Sequence, residues 1–183
     1  MLIETDRLFL RPLTADDLPA LIQFRADDEV SRYIGGATMQ SPEAVTRRLG
    51  FYLECHERYG YGMSAIIRKA DGVMVGWGGL QPLEDSGETE VGYGFARAFW
   101  GQGYATETAA ACLRYGFEQA GLERIVAVAI PENTASRRVM EKLGMRFARV
   151  ARHYGTDCVF YTITRAEFVP RAGYYAVHDR AKG

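Results

Sequence analysis

Three short segments carry residues whose types and spacing could do chemistry. In Phe99-Trp100-Gly101-Gln102-Gly103-Tyr104-Ala105-Thr106-Glu107, two closely spaced glycines stand between a β-rich run and a long helical pattern. Small residues let the backbone N–H groups of such a turn converge, and the helix N-terminus behind it adds partial positive charge. That combination suits a pyrophosphate and needs no lysine. The spacing is neither GxGxxG nor GxxxxGKS/T, so dinucleotide-fold and P-loop readings fit poorly. Taken alone, the segment is equally a plain glycine turn before an amphipathic helix. Its context adds weight: Val91-Gly92-Tyr93-Gly94-Phe95 lies just upstream. Glycines inside a good strand suggest a bulge or a close approach by a ligand. A bulged strand would leave peptide groups unpaired, open to an amide-rich arm such as pantetheine. Third, Asn133-Thr134-Ala135-Ser136 opens a helix, with Asn133 suited to cap it.

These segments need elements to position them. Arg7–Arg11 alternates polar and apolar residues and reads as a short strand. Thr14, Asp16 and Asp17 supply helix-start chemistry, followed by Leu18, Leu21, Ile22 and Arg25 at helical spacing, although Pro19 sits awkwardly deep in such a helix. Ser41-Pro42-Glu43 is a cleaner start, with Val45, Leu49, Tyr52 and Leu53 as one apolar stripe. Met63–Lys69 and Val73–Leu80 flank Ala70-Asp71-Gly72 and read as a hairpin. Glu88–Ala96 is a further strand. The helix from about Tyr104 to Gln119 turns Ala105, Ala109, Leu113 and Phe117 inward and ends at Gly121. Arg124–Ile130 is a β-branched strand, Asn133–Leu143 a helix closed by Gly144, and Arg146–His153 and Cys158–Thr164 are the last strands. The order βαα, βββ, αβαββ, without repeat or linker, describes one mixed α/β domain over 1–183, with its core at about 5–168 and a polar tail at 169–183.

The 183 residues are 48% hydrophobic, 25% charged and 12% aromatic, the composition of an ordinary globular chain. A net charge of −1 gives no footprint for nucleic acid or an anionic membrane. Cys55, Cys112 and Cys158, like His56, His153 and His178, are scattered without ligand spacing, so no metal site and no disulfide framework are expected. The first residues form no secretory signal and no apolar run is long enough to span a bilayer, which leaves the cytoplasm as the expected compartment.

Taken together, the segments Glu4-Thr5-Asp6-Arg7-Leu8-Phe9-Leu10-Arg11, Val91–Phe95, Trp100–Glu107 and Pro131–Gly144 resemble the GCN5-related N-acetyltransferase (GNAT) superfamily, in its ribosomal-protein-alanine N-acetyltransferase-like branch. The similarity runs from Glu4 to Phe168. It implies an α/β (α+β) fold, a mixed, mostly antiparallel twisted sheet of six to seven strands flanked by about four helices. It implies acetyl-CoA as co-substrate, with the amides of Gly101, Gln102, Gly103, Tyr104, Ala105 and Thr106 on its pyrophosphate. The main chain of Tyr93, Gly94 and Phe95 is expected to pair with pantetheine. The Asn133 side chain is expected on the same arm, with Ser136 near the sulfur. Trp100 stands where the superfamily often has Gln or Arg. Met140 occupies the position where many members carry the tyrosine that protonates the departing thiolate, which leaves Ser136 as the substitute acid, or a thiolate that leaves unassisted.

The implied reaction is acyl transfer from a thioester to an amine of a protein N-terminus or a small molecule, by direct attack through a tetrahedral oxyanion. A lysine amine, with a pKa of about 10.4, needs a base more than an α-amine near 8 does. Glu88 and Glu90 lie two apart on one face; Glu90, nearer the expected thioester, is the candidate base, while Glu88 reads as a solvent-facing carboxylate. Tyr154 and Tyr161 are candidates to line the acceptor pocket. Asp27-Asp28-Glu29 would attract a cationic acceptor or simply be a solvated charge run. An acyl-CoA-binding module that has lost catalysis and a phosphate-binding enzyme of unrelated fold are the competing readings. A monomer and a homodimer are both compatible with the sequence.

Overall fold

The structure is a computed structural model that describes residues 2–35, 40–84 and 86–178. Nine strands form one sheet in the order β7-β8-β6-β5-β4-β3-β2-β1-β9. They are β1 Leu2–Thr5, β2 Leu8–Pro12, β3 Met63–Arg68, β4 Met74–Pro82, β5 Thr89–Phe95, β6 Arg124–Ala129, β7 Arg146–His153, β8 Thr156–Thr164 and β9 Tyr175–His178. The helices are α1 Leu18–Ala26, α2 Asp28–Ser31, α3 Pro42–Tyr59, α4 Tyr104–Glu118 and α5 Thr134–Lys142. Every neighbouring pair is antiparallel except β5 and β6, which the α4 crossover makes parallel.

Seven of the nine strands fall where hydrophobic alternation puts them. The two that do not, β1 and β9, are four residues each and pair with one another from Leu2↔His178 to Thr5↔Tyr175. The sheet is therefore larger than six or seven strands, and the segment after Phe168 is not merely a tail. Pro19 also finds its explanation. A 3₁₀ turn, Ala15–Asp17, takes up the helix-start signal, so α1 begins at Leu18 and the proline falls in its first turn, where its missing N–H costs nothing. Ser41 caps α3 as expected, its hydroxyl accepting from Ala44 N–H at 3.2 Å.

Two apolar clusters lie on the two faces of the sheet. One joins β-strand residues such as Leu80, Val91 and Ile125 to Ala109, Leu113 and Phe117 of α4 and Met140 of α5. The other joins Met63, Ala65 and Trp77 to Leu21 and Phe24 of α1 and Val45, Leu49 and Tyr52 of α3. A two-layer burial of this kind leaves the sheet's own plane as the divide between two possible ligand approaches. Asp27-Asp28-Glu29 is local chemistry: Asp27 caps α2, accepting from Glu29 and Val30 N–H.

Candidate active site

The parallel strands β5 and β6 meet at a single register position, Glu90↔Val126. Beyond it they part, and the C-terminal half of β5 is paired only with β4. Ala96 N–H donates to Val75 O on β4, so by alternation the peptide groups of Val91, Tyr93 and Phe95 face the vacated edge. The expected bulge is not the reason for this opening. The β4–β5 register runs unbroken from Pro82↔Thr89 to Gly76↔Phe95. Gly94 is small because the Trp77 ring lies on it; a Cβ there would stand 2.5 Å from the indole. The unpaired edge comes from the divergence of two strands, a tertiary event.

At the mouth of this opening, Gly101 and Gly103 adopt φ of 74° and 82°, which favour glycine, and Gly103 becomes the N-cap of α4 with no side chain capping the helix. Trp100 N–H bonds back to Arg97 O and Glu107 N–H to Gly103 O. Among the described residues, the main-chain donors from Gly101 to Thr106 have no main-chain partner within the turn, as the first turn of a helix requires. Arg7 braces the turn: it ion-pairs Glu107 at 2.6 Å, donates to Gln102 O at 2.9 Å and lies over the Tyr104 ring. Thr5 Oγ1 donates to the same Glu107 carboxylate at 2.7 Å. Sequence reading assigned none of these three residues; the strand–helix ion pair joins positions a hundred residues apart. Trp100 has a specific task, since its indole N–H donates to Phe95 O at 2.8 Å and so takes one acceptor of the open edge.

On the α4–α5 face of the opening, the Tyr93 hydroxyl lies 3.1 Å from Ser136 Oγ. Asn133 caps α5, its Oδ1 accepting from Ser136 N–H at 3.0 Å. Met140 is buried in the core. Burial pushes the Tyr93 phenol up to about 12, so it keeps its proton at neutral pH. Sequence reading used only the main chain of Tyr93; the side chain's partnership with Ser136 depends on how α5 docks.

On the other face lies Glu90, which is almost fully buried. Gln81, its register partner on β4, donates to Glu90 Oε1 at 2.5 Å, and the Tyr154 hydroxyl donates to the same oxygen. Burial pushes the Glu90 carboxyl above the usual range, opposed by those two hydrogen bonds and by the charge of Arg48. Tyr154 reaches it from the β7–β8 turn, with a φ of 51°. That turn is held by Glu84, whose carboxylate accepts from Tyr154 N–H at 3.0 Å and lies 2.9 Å from His153 Nδ1. Arg48 of α3 completes the group, donating to Gln81 Oε1 at 3.2 Å among the rings of Phe51, Tyr52 and Tyr154.

The remaining candidates separate cleanly. Glu88 pairs with Arg124 and is not near Glu90's partners. Tyr161 is not at the acceptor side: it is buried with the α4–α5 cluster and its hydroxyl donates to Glu141 at 3.0 Å, because β8 turns alternate residues to opposite faces. Arg48 was missed, although a charged residue set between Val45, Leu49 and Tyr52 at helical spacing was a readable anomaly. The three cysteines are buried thiols. No helix of the described residues is long and apolar enough to cross a membrane.

The sheet thus splits at one parallel pair, with an uncapped glycine-led helix at its mouth. A family model for the acetyltransferase (GNAT) domain matches residues 7–146. The chain is 32% identical over 154 residues to the uncharacterized N-acetyltransferase YoaA of Bacillus subtilis, covering 84% of this chain and 87% of that one. A GNAT-family acetyltransferase from Bacillus anthracis superposes with a TM-score of 0.75 at 30% identity, over 91% of this chain and all of that one. A ribosomal L7/L12 α-N-protein acetyltransferase solved in complex with coenzyme A shares the fold, with a TM-score of 0.74 at 20% identity, covering 90% of this chain and 98% of that one. The chain belongs to the GNAT acetyltransferase family and is an N-acetyltransferase.

Proposed function

We propose that the protein transfers acetyl from acetyl-CoA to a primary amine by direct attack, with Glu90 as general base and the Tyr93–Ser136 pair as the proton source for the leaving thiolate. The observation that carries this is the split that begins at Glu90↔Val126 and opens the edge of β5, whose alternation turns Glu90 to one face and Tyr93, beside Ser136 of α5, to the other. Acetyl-CoA supplies the acetyl group as a thioester. The fit of this chain to it rests on the uncapped amides of Gly101–Thr106 for the pyrophosphate and on the free edge of β5 for the pantetheine amides.

Glu90, ionised, removes one proton from the acceptor ammonium, and its raised pKa makes it a stronger base than an exposed carboxylate. The neutral amine forms a C–N bond to the thioester carbon. A peptide N–H on the open edge of β5 stabilises the oxyanion, a contribution of about 3 kcal/mol per donor in comparable sites. The C–S bond breaks, the nitrogen loses its second proton, and the thiolate receives a proton through Ser136 and Tyr93. The products are an N-acetyl amide, coenzyme A thiol and one proton. Asn133, whose Oδ1 caps α5, keeps its Nδ2 as a donor for the pantetheine arm. Likeness to relatives named as N-acetyltransferases supports an amine acceptor.

The test is release of free thiol from acetyl-CoA in the presence of peptides with varied N-termini and of small amines. Acceptor-dependent release is the expected result; binding of acetyl-CoA without release for any amine would overturn it.

A further inference from the structure

A cavity on the α1–α3 face is lined by Leu21, Arg25, Val45, Arg48, Tyr52 and Trp77. Two of these six residues are arginines, and neither is paired with a carboxylate among the described residues. Arg25 is 4% exposed; it donates to Ile34 O at 2.6 Å and lies 4.9 Å from the centre of the Trp77 ring. Arg48 donates to the Gln81 amide oxygen, lies among aromatic rings, and is held charged by its hydrogen bonding with Tyr52 and Tyr154. The two guanidinium groups are close enough to oppose each other, Arg48 adding to the burial that depresses Arg25. Arg25 is the enclosed charge of the two, while Arg48 is half-buried and the Glu90 carboxylate is the anion its charge reaches; two like charges set this close favour an added anion between them.

The cavity is part of the reaction centre's surroundings. Its wall residue Trp77 lies opposite Gly94 in the β4–β5 register, and Arg48 is two hydrogen bonds from Glu90, through Gln81. A group held by Arg48 and Arg25 therefore sits on the side of β5 from which Glu90 faces an incoming amine. An arginine fork suits planar or tetrahedral oxyanions, which it binds through paired N–H donors.

Building on the acetyltransfer reading above, we infer that the acceptor is an amine that also carries a carboxylate or phosphate, bound by Arg48 and Arg25 while Glu90 deprotonates its amine. The anion neutralises the buried charge only when the acceptor is present, so it contributes selectivity as well as affinity. The reacting bonds are unchanged: the amine nitrogen gains the acetyl carbon, and the thiolate leaves with a proton.

The experiment compares matched acceptors on the unaltered protein by thiol release: free amino acids against their amides, and phosphoethanolamine against ethanolamine. The anionic member of at least one pair is expected to have a kcat/KM about 100-fold higher. The pair that responds distinguishes a carboxylate from a phosphate ligand. Arg48→Gln and Arg25→Gln are each expected to cut that ratio about 10-fold or more, mainly through KM, while Arg48→Lys retains part of it. Equal rates for the charged and neutral members would overturn the inference and leave the acetyltransfer reading intact. No thiol release with any acceptor, from protein that binds acetyl-CoA, would overturn both.

Discussion

The two faces of β5 are built by different means. On the α4–α5 face, the recognition we propose falls to the main chain: glycines at positive φ, uncapped helix amides, and a strand edge left open. On the α1–α3 face it falls to side chains: Glu90, Gln81, Arg48 and Tyr154 come from four separate elements and meet in one cluster around the buried Glu90. A main-chain site binds whatever carries phosphates and amides in the right order, so it suits a ligand shared across a family. A side-chain site changes with one substitution, so it suits the acceptor. Breaking the main-chain turn should thus move KM for acetyl-CoA, whereas removing the Glu90 carboxylate should move turnover.

The largest effect is expected at Glu90. Glu90→Gln keeps the hydrogen-bonding shape but cannot take a proton, and kcat/KM should fall about 100- to 1000-fold at neutral pH, with acetyl-CoA affinity unchanged. The pH dependence sharpens this. Because burial raises the Glu90 carboxyl, activity should rise with pH through a step above the ordinary carboxylate range, and Glu90→Gln should lack that step. Stability moves the opposite way. Between the ordinary carboxylate value and the raised one, the folded state holds a proton that the unfolded state has lost, so the protein loses stability as pH rises through that window. The Tm difference between Glu90→Gln and the parent should therefore grow in the variant's favour from acid to neutral pH.

The next effect belongs to the other face. Gly103→Val forces a β-branched residue to a φ of 82°, a strain of about 1–3 kcal/mol, at the residue that opens α4. KM for acetyl-CoA should rise about 10- to 100-fold with a smaller change in kcat, as steady-state kinetics with the acceptor saturating would measure. If Glu90→Gln and Gly103→Val instead changed the same parameter, the division between the faces would be wrong.

That division also sets how much the sequence could reveal. The positive-φ Gly101–Gly103 turn and the Asn133 cap are local, and each was legible because it sits in consecutive residues; the bulge expected from Gly92 and Gly94 was not there, because Gly94 makes room for Trp77 from the neighbouring strand. Glu90 was legible as a carboxylate near the glycines, but its burial was not. Tyr154 and Tyr161 looked equivalent in the sequence; strand alternation and the Glu84-anchored turn send one to Glu90 and the other into the core. Arg48 and Arg25 sat at core spacing on their helices, an anomaly whose meaning depends on α1 and α3 packing over the same stretch of β4. The strands β1 and β9 were too short for periodicity: β1 pairs with β2 on one edge and with β9 on the other, and β9 depends on β1 for its hydrogen bonds.

Tyr93 and Ser136 test whether the proton source is shared. Tyr93→Phe and Ser136→Ala should each lower kcat about 10-fold, and the double variant should lose little more, because the two hydroxyls form one relay at 3.1 Å. Full additivity would mean that each reaches the thiolate independently. A loss confined to Ser136→Ala would assign the proton to Ser136 alone and leave Tyr93 as its support.

Trp100 should give the smallest effect and the finest test of the open edge. Its indole N–H holds Phe95 O, the acceptor at the end of β5 nearest the glycine turn. Trp100→Phe keeps a ring there and frees the carbonyl, removing one hydrogen bond worth about 1 kcal/mol. If that bond serves to fix the edge, acetyl-CoA KM should rise about 3-fold as the edge loosens, with kcat unchanged. If the freed carbonyl instead pairs with the pantetheine arm, KM should fall, because the ligand gains an acceptor that the indole had occupied. The sign of this small change separates an edge that needs bracing from one that Trp100 partly blocks.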